Sequence, residues 1–373
     1  MIYELTIEVL TPVHIGDAKG RMTSLEFFQD DHAVYMVNEA AWAEILATQG
    51  DIDDFVRYVE QETRPSLDRF LDRLPVDRAN RLRQETVLRR IPKGERMWVS
   101  HLLPFVTDPL SGTPYLPGSS LKGAIRVALL NQLADTPARA KQIVGEGRRV
   151  QDGRKTDRPG ERLDNLLRAS LRGHRRTPQT DWLRGLHVSD AYPEQTACTE
   201  VREVRIISLN EGEGYHYGAN GARVFVEVVR PGTTFKGRLK CDRELWELLS
   251  KTTGQRAPFR LEAWMDACQT MYSRSLEEDK RFFEDAGLPN MVGVLDVLTR
   301  KSPNLRVGWG SGLLSASVVM HLSNAERQTL RQLYFPRRKH PQFPQSRKVV
   351  MAKGVPTFPL GWLRLSVCEA RGT

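Results

Sequence analysis

Cysteine is scarce in this chain of 373 residues. There are four, Cys198, Cys241, Cys268 and Cys368, far apart and without a C-x-x-C pair. That spacing argues against a zinc ribbon or a dithiol redox site, and buried free thiols are expected. Long apolar runs are missing too: no window approaches the ~18 consecutive apolar residues of a membrane-spanning helix. Met1 to Glu8 carry neither a basic n-region nor an apolar h-region, so no signal peptide is expected. H-E-x-x-H, G-x-S-x-G and EF-hand patterns are absent, and His174, His187 and His216 lack metal-ligand spacing. No metal and no cofactor are expected.

What remains is an ordinary globular composition, 40% hydrophobic, in a chain long enough for about two domains. Lys and Arg number 55 against 46 Asp and Glu, and the resulting charge of +9 favours a polyanionic partner. Tyr3, Leu5, Ile7 and Val9 alternate with Glu4, Thr6 and Glu8, the period of a half-buried strand that stops at Thr11-Pro12. Ala33 to Val37 reads as a second strand, and Asn38 as the N-cap of a helix burying Trp42, Ile45 and Leu46. Short helices broken by Pro65 and Pro75 follow over 51–85, then a strand from Met97 to Val106.

A helix carrying Ile125, Leu129, Leu130 and Leu133 opens after Pro117. Gly145 to Thr180 is rich in Arg, Gly and Asp without an apolar period, which predicts a mobile insertion. Residues 223–229 and 234–240 predict a hairpin about Arg230-Pro231-Gly232-Thr233. Helices are expected over 242–251, 258–286 and 324–334, and a last strand from Gly361 to Val367. Strands and helices mix without a parallel βαβ rhythm, so the expected class is α+β with helices on one face of the sheets.

Two glycine-rich segments stand out. Gly118-Ser119-Ser120-Leu121-Lys122-Gly123 fails the Walker pattern, yet small residues at a helix start leave backbone N–H groups and the positive helix end for an anion. Lys122 and Arg126 would share a face of its first turns. An ordinary capped helix with close packing explains the same residues. Gly308-Trp309-Gly310-Ser311-Gly312 implies a close backbone approach, either to a ligand or to a neighbouring strand. Trp309 suits base stacking or a core. His14 suits general acid–base chemistry or a hydrogen-bonded loop. Two acid-free basic stretches, 168–176 and 336–354, would with these loops make a surface that tracks a phosphate backbone.

Thr11-Pro12-Val13-His14-Ile15-Gly16, Tyr115 to Arg126 with its Pro-Gly-Ser-Ser-Leu-Lys-Gly core, and Gly308 to Gly312 together resemble the RAMP superfamily of CRISPR-associated proteins. Their order, the chain length and the glycine–tryptophan–glycine ending are most like the fifth-subunit family of the type III-A Csm effector complex. The resemblance implies two ferredoxin-like (RRM-like) modules with helical and loop insertions, expected over 1–200 and 201–373. It implies a non-catalytic subunit that caps the backbone RAMP filament at the 3′ end of the CRISPR RNA and helps its maturation, in the cytoplasm. The implied partners are the 3′ portion of CRISPR RNA, target RNA, a backbone RAMP subunit, the small helical subunit and host trimming nucleases. By carry-over, RNA contacts fall on Gly118, Ser119, Ser120, Lys122, Arg126, Gly308, Trp309, Gly310, Ser311 and Gly312, with His14, Gly16, Lys19 and Arg21 beside them. Asp17, Asp30 and Asp31 sit in no motif that transfers a metal or cleavage role. The alternative is a metal-independent RAMP endoribonuclease acting on repeat RNA, with His14 as general base. A pure assembly protein that touches no RNA is the other rival.

Overall fold

The alternation at the start of the chain becomes β1 (Ile2–Val9), with Leu5, Ile7 and Val9 buried and Glu4 exposed. The computed structural model describes residues 1–18, 20–134, 178–210, 214–216, 223–257, 263–334 and 342–369, together with Ala138 and Gly145. Lys19, most of the expected insertion 145–180 with its arginine cluster, and the basic residues 337–339 lie outside the described residues.

β1 is flanked on both sides by antiparallel partners. Leu5 stands opposite Gly237 of β10 (Thr234–Cys241) and opposite Val367 of β14 (Trp362–Glu369). β5 (Leu186–Val188) and β6 (Tyr192–Pro193) join the far side of β10, and β11 (Leu305–Arg306) joins β14. The sheet order is β11-β14-β1-β10-β5. Its apolar face packs on α5 (Gly118–Ala134) and α7 (Trp264–Asp285) in one core, where Tyr272 Oη donates to the Ala124 carbonyl at 3.1 Å. In chain order β1, α5, β5, β10, α7 and β14 form a βαββαβ unit, and the four strands lie in the order β14-β1-β10-β5. That is the ferredoxin-like arrangement, assembled from strands on both sides of residue 200, so the expected 1–200 and 201–373 spans share one sheet.

The remaining elements are inserted into this frame. Between β1 and α5 lie β2 (Phe27–Gln29), β3 (Ala33–Val37) and β4 (Val87–Pro92), a three-stranded sheet. It carries helices α1 (Glu39–Gln49), α2 (Ile52–Gln61), α3 (Leu67–Leu71) and α4 (Val76–Glu85). Asn38 caps α1 as its side-chain type requires, accepting from the Ala40 and Ala41 N–H groups. A second antiparallel sheet is built from β7 (Thr199–Asn210), β8 (Gly214–His216), β9 (Val224–Val229), β12 (Ser346–Ala352) and β13 (Val355–Pro359). α6 (Arg243–Thr253) follows β10. α8 (Pro289–Arg300), α9 (Gly312–Ser315) and α10 (Asn324–Tyr334) lie between α7 and β12. The class is α+β, as expected, and no helix among the described residues is long and apolar enough to cross a membrane.

Several expectations are corrected. Residues 224–229 and 234–241 are not a hairpin: β9 pairs with β7, whereas β10 pairs with β1. The turn between them is a crossing from one sheet to the other, held where Gly232 N–H donates to the Val9 carbonyl at 2.7 Å. Met97 to Val106 is a strap rather than a ladder strand, because its bonds go to separate partners. Leu102 exchanges both with Met22, Leu103 N–H donates to Phe225, and Val106 N–H donates to Ile15. The described end of the basic stretch 336–354 is mostly strand β12. Cys198, Cys241 and Cys268 are buried free thiols, but Cys368 is exposed on β14.

One buried carboxylate ties the two main sheets together. Asp279 of α7 accepts from Arg306 Nη1 of β11 at 2.7 Å and from Arg347 Nε of β12 at 2.6 Å. Arg306 also donates to the carbonyls of Leu360 and Gly310, at 3.0 and 3.2 Å. Two guanidiniums against one carboxylate leave a surplus positive charge that carbonyls and aromatic faces must absorb. Trp362 lies 4.7 Å from Arg306, and Phe282 4.5 Å from Arg347. Asp279→Ala would strand both cations in the core and is expected to cost about 3–5 kcal/mol by equilibrium denaturation. A loss below about 1 kcal/mol, the scale of a surface pair, would show that the clamp does not hold the sheets.

Candidate nucleic-acid interface

Proline ends β1 and releases the chain into the loop that holds His14. The imidazole is 3% exposed, and Nδ1–H donates to the Glu227 carbonyl at 2.8 Å. Burial pushes the imidazole below its usual range. The Glu227 hydrogen bond opposes that shift and the charge of Lys348 adds to it. Glu227 is itself fully buried, with Oε2 accepting from Arg89 Nη2 at 2.5 Å and from the Phe105 N–H at 2.8 Å.

The glycine-rich loop 308–312 folds onto this histidine. Trp309 N–H donates to the His14 carbonyl at 2.9 Å, and the two rings meet edge-on with centroids 6.1 Å apart. Gly308 has φ +83°, and a Cβ there would lie 2.2 Å from the His14 oxygen. A Cβ on Gly310 would lie 2.1 Å from Leu360 Cβ. Both glycines are therefore required by neighbouring chain, which decides between the two sources of close approach at these positions. Gly312 has open space around it, and Ser311 Oγ donates to the Gly308 carbonyl. Trp309 is half-buried against Val350 and Leu360, with Lys348 Nζ 3.9 Å from its ring centroid and donating to its carbonyl at 2.9 Å. Lys348 is thus a partner of Trp309 that the acid-free run alone did not reveal.

The other glycine-rich segment stands apart. Gly118 packs under β5, where a Cβ would lie 2.3 Å from the Val188 carbonyl, and its N–H donates to Asp190 Oδ1 at 2.7 Å. An acidic side chain already sits at this helix start. Arg126 Nη1 is bound to Asp181 Oδ2 at 2.7 Å, and Asp181 Oδ1 accepts from the Leu183 N–H. Lys122 is half-buried; burial lowers its ammonium pKa, with Asp181 opposing and Arg126 adding. Ser119 is exposed and Ser120 half-buried. Gly118 lies by β5 at one edge of the six-stranded sheet, whereas the 308–312 loop follows β11 at the other. Gly16 and Arg21 are exposed in the β1 loop. Arg347, one of the expected phosphate trackers, is consumed by Asp279.

Asp30 and Asp31 are explained locally. Asp30 caps its own turn through the His32 and Ala33 N–H groups, and Asp31 pairs with Arg96. Among the described residues no group of His, Cys, Asp and Glu is arranged to hold a metal ion.

Comparisons with known proteins bear on the family and the fold. The RAMP superfamily model matches residues 6–315. The chain belongs to the RAMP superfamily. Two curated relatives are the proteins called CRISPR system Cms protein Csm5 from Mycobacterium tuberculosis strains CDC 1551 / Oshkosh and ATCC 25618 / H37Rv. Each is 28% identical over 262 residues, covering 64% of this RAMP chain and 66% of the relative. One chain of a cryo-EM structure of a Csm–crRNA–target RNA ternary complex in a type III-A CRISPR-Cas system shares the fold. Its TM-score is 0.72 at 20% identity, over 98% of this chain and 100% of that one. The crystal structure of T. onnurineus Csm5 matches with TM-score 0.61 at 18% identity, over 96% and 99%.

Two outcomes follow from the packing of this RAMP loop. Gly308→Ala and Gly310→Ala should each lower stability by about 1–3 kcal/mol through overpacking. Ser119→Ala, on an exposed side chain, should stay within about 0.5 kcal/mol. Equal thermal shifts for all three would contradict the close approach. For His14, the unfolded chain takes up a proton near pH 6.5 that the folded imidazole refuses until lower pH. Its contribution is therefore full above about pH 6.5 and is lost as the pH falls through the folded value. His14→Gln, which keeps an N–H donor for Glu227, should flatten the fall in melting temperature between about pH 7.5 and 5.5. A parallel pH profile for the two proteins would exclude this source.

Proposed function

We propose that this protein is an RNA-binding structural subunit of a type III-A CRISPR (Csm) interference complex. In this reading it works in the cytoplasm and caps the backbone RAMP filament at the 3′ portion of the CRISPR RNA. The observation that carries it is the likeness of almost the whole chain to one chain of a Csm–crRNA–target RNA complex, joined to 28% identity with Csm5 over 262 residues. Because the match spans 66% of those relatives' length, activity and partners are part of the proposal.

The chain would hold phosphates and sugars with little base reading, since a guide sequence has to vary. Ser119, Ser120 and Lys122 on one edge, with Gly16, Arg21, Trp309, Ser311 and Gly312 on the other, are its proposed contacts. Gly118, Gly308, Gly310 and Arg126 would shape these surfaces from within. A backbone RAMP subunit, the small helical subunit and trimming nucleases are the proposed protein partners, and target RNA a further one. No catalytic step is assigned. A nuclease using His14 as general base would need the imidazole to reach RNA, and that ring is buried with Nδ1–H engaged.

Native mass spectrometry tests the assembly. The chain would be pulled down from cells expressing Csm subunits and a CRISPR array. One copy of this chain with several backbone RAMP copies and one guide RNA is the expected composition. Recovery of the chain alone with cut repeat fragments would overturn the cap and return attention to His14.

A further inference from the structure

The six-stranded sheet has a second face, which α5 and α7 do not cover. On β10 the alternation that buries Phe235, Leu239 and Cys241 turns Lys236, Arg238 and Lys240 outward, and all three are exposed. Alternate residues of a strand are about 7 Å apart. Three cations at that step follow a line comparable to the phosphate spacing of an extended single strand.

Register places other groups around this row. Lys240 stands opposite His187 of β5, and Lys236 opposite Tyr192 of β6. The Tyr192 ring, 42% exposed, stacks on Tyr115 with centroids 5.8 Å apart and an interplanar angle of 24°. The pair makes an aromatic platform at the edge where the row ends. On the other side of the row the outward residues of β1 are Glu4, Thr6 and Glu8, and Glu8 pairs with Arg364 of β14. These carboxylates would repel a polyanion from the β1 side and confine it to β10 and β5. The ion pairs of the row are weak ones: Lys236 lies 3.7 Å from Glu194, with a hydrogen bond to Thr6 Oγ1 at 2.9 Å, and Lys240 lies 3.4 Å from Asp242, both as exposed pairs. Such pairs are worth about 0–1 kcal/mol, so exchanging them for phosphates costs little. Arg238 makes no ion pair among the described residues, although Glu4 of β1 stands opposite it.

We infer that this open sheet face, along Lys240, Arg238 and Lys236 to Tyr192, is a track for single-stranded RNA. It rests on the reading that the protein binds RNA, and adds a surface to the contacts proposed for that reading. The exposed outward positions of β1, β10 and β14 hold no aromatic residue, so the track grips phosphates and stacks a base only at its Tyr192 end. A protein interface would present apolar anchors at its centre, and Ile2, at the end of β1, is the one large aliphatic residue on the described part of this face. Charge complementarity therefore selects the polyanion.

The test uses the full chain and a fluorescent single-stranded oligouridine, with anisotropy read across a salt series. Lys236→Gln, Arg238→Gln and Lys240→Gln combined should weaken binding at least about tenfold, and reduce the log–log salt slope by about 2, at about 0.7 per lost phosphate contact. Tyr192→Ala should weaken binding several-fold, while Tyr192→Phe, which keeps the ring, should not. Arg57→Gln with Arg81→Gln, exposed cations on α2 and α4, is the comparison and should leave affinity unchanged. If the wild-type chain binds and the triple variant binds with the same slope, the track is wrong and the RNA-binding reading stands. If the wild-type chain binds no single-stranded RNA, that reading falls and the track with it. Should the triple variant keep its RNA affinity but lose a Csm subunit from the assembled complex, the face docks protein and the inference is overturned.

Discussion

Two arginines from different sheets share the carboxylate of Asp279, and much of the architecture depends on that arrangement. A lone aspartate in this core would be protonated or excluded, and a lone arginine would carry an unaffordable desolvation cost. Together they are tolerable only where both ends are fixed. Arg306 arrives on β11 at the edge of the first sheet, Arg347 on β12 in the second, and Asp279 on a long helix that packs against the first. The remaining donors of Arg306 reach the carbonyls of Leu360 and Gly310, so the glycine-rich loop is shaped by the same ion. Ser275 and Ser315, hydrogen-bonded to each other, meet it from the other side, with Ser315 Oγ accepting from Arg306 Nη1.

The clamp answers a problem set by topology. A ferredoxin-like unit whose six elements are spread from residue 2 to residue 369 gets little help from local contacts. Its first strand waits for partners more than 200 residues away: Ile2 pairs with Lys240, and Tyr3 with Glu369. Each long insertion must leave and re-enter the frame at fixed points. Polar groups secure several of them. Thr11 Oγ1 accepts from the Trp362 N–H, Gly361 N–H donates to the Pro12 carbonyl, and Asn304 bonds both ways with Leu365. These bonds join sequence-distant segments in buried surroundings, where an unmade partner is costly.

That division of labour also explains what could be read in advance. β1, the Asn38-capped helix and the helix opened at Gly118 obey local rules, namely alternation, a cap and small residues before an apolar period. Their existence was legible. Pairing was not, because it is decided by partners remote in sequence. Arg230-Pro231-Gly232-Thr233 has hairpin chemistry, but the strand after it finds a free edge of β1 and leaves its neighbour with β7. Met97 to Val106 has strand composition, yet Met22, Phe225 and Ile15 each claim part of its backbone. Arg347 looked like a solvated cation because its counter-ion lies 68 positions upstream. The alternating cations of β10 form no motif, and only the sheet shows that no helix among the described residues covers their face.

The glycines carry the same distinction into function. A glycine-rich loop signals that backbone approaches something, and in this chain Gly308, Gly310 and Gly361 approach the molecule's own backbone and side chains so closely that a Cβ would overlap them. Such positions are strict in type because a packed interior tolerates no extra methyl. A phosphate-binding row is lax, since any exposed cation at the right step serves and none is tightly packed. A motif built of glycines thus reports packing requirements of the chain itself. The groups that grip a variable polyanion are free to sit elsewhere, on a surface with no motif at all, where only alternation along a strand and the absence of a covering helix distinguish them from solvated charge.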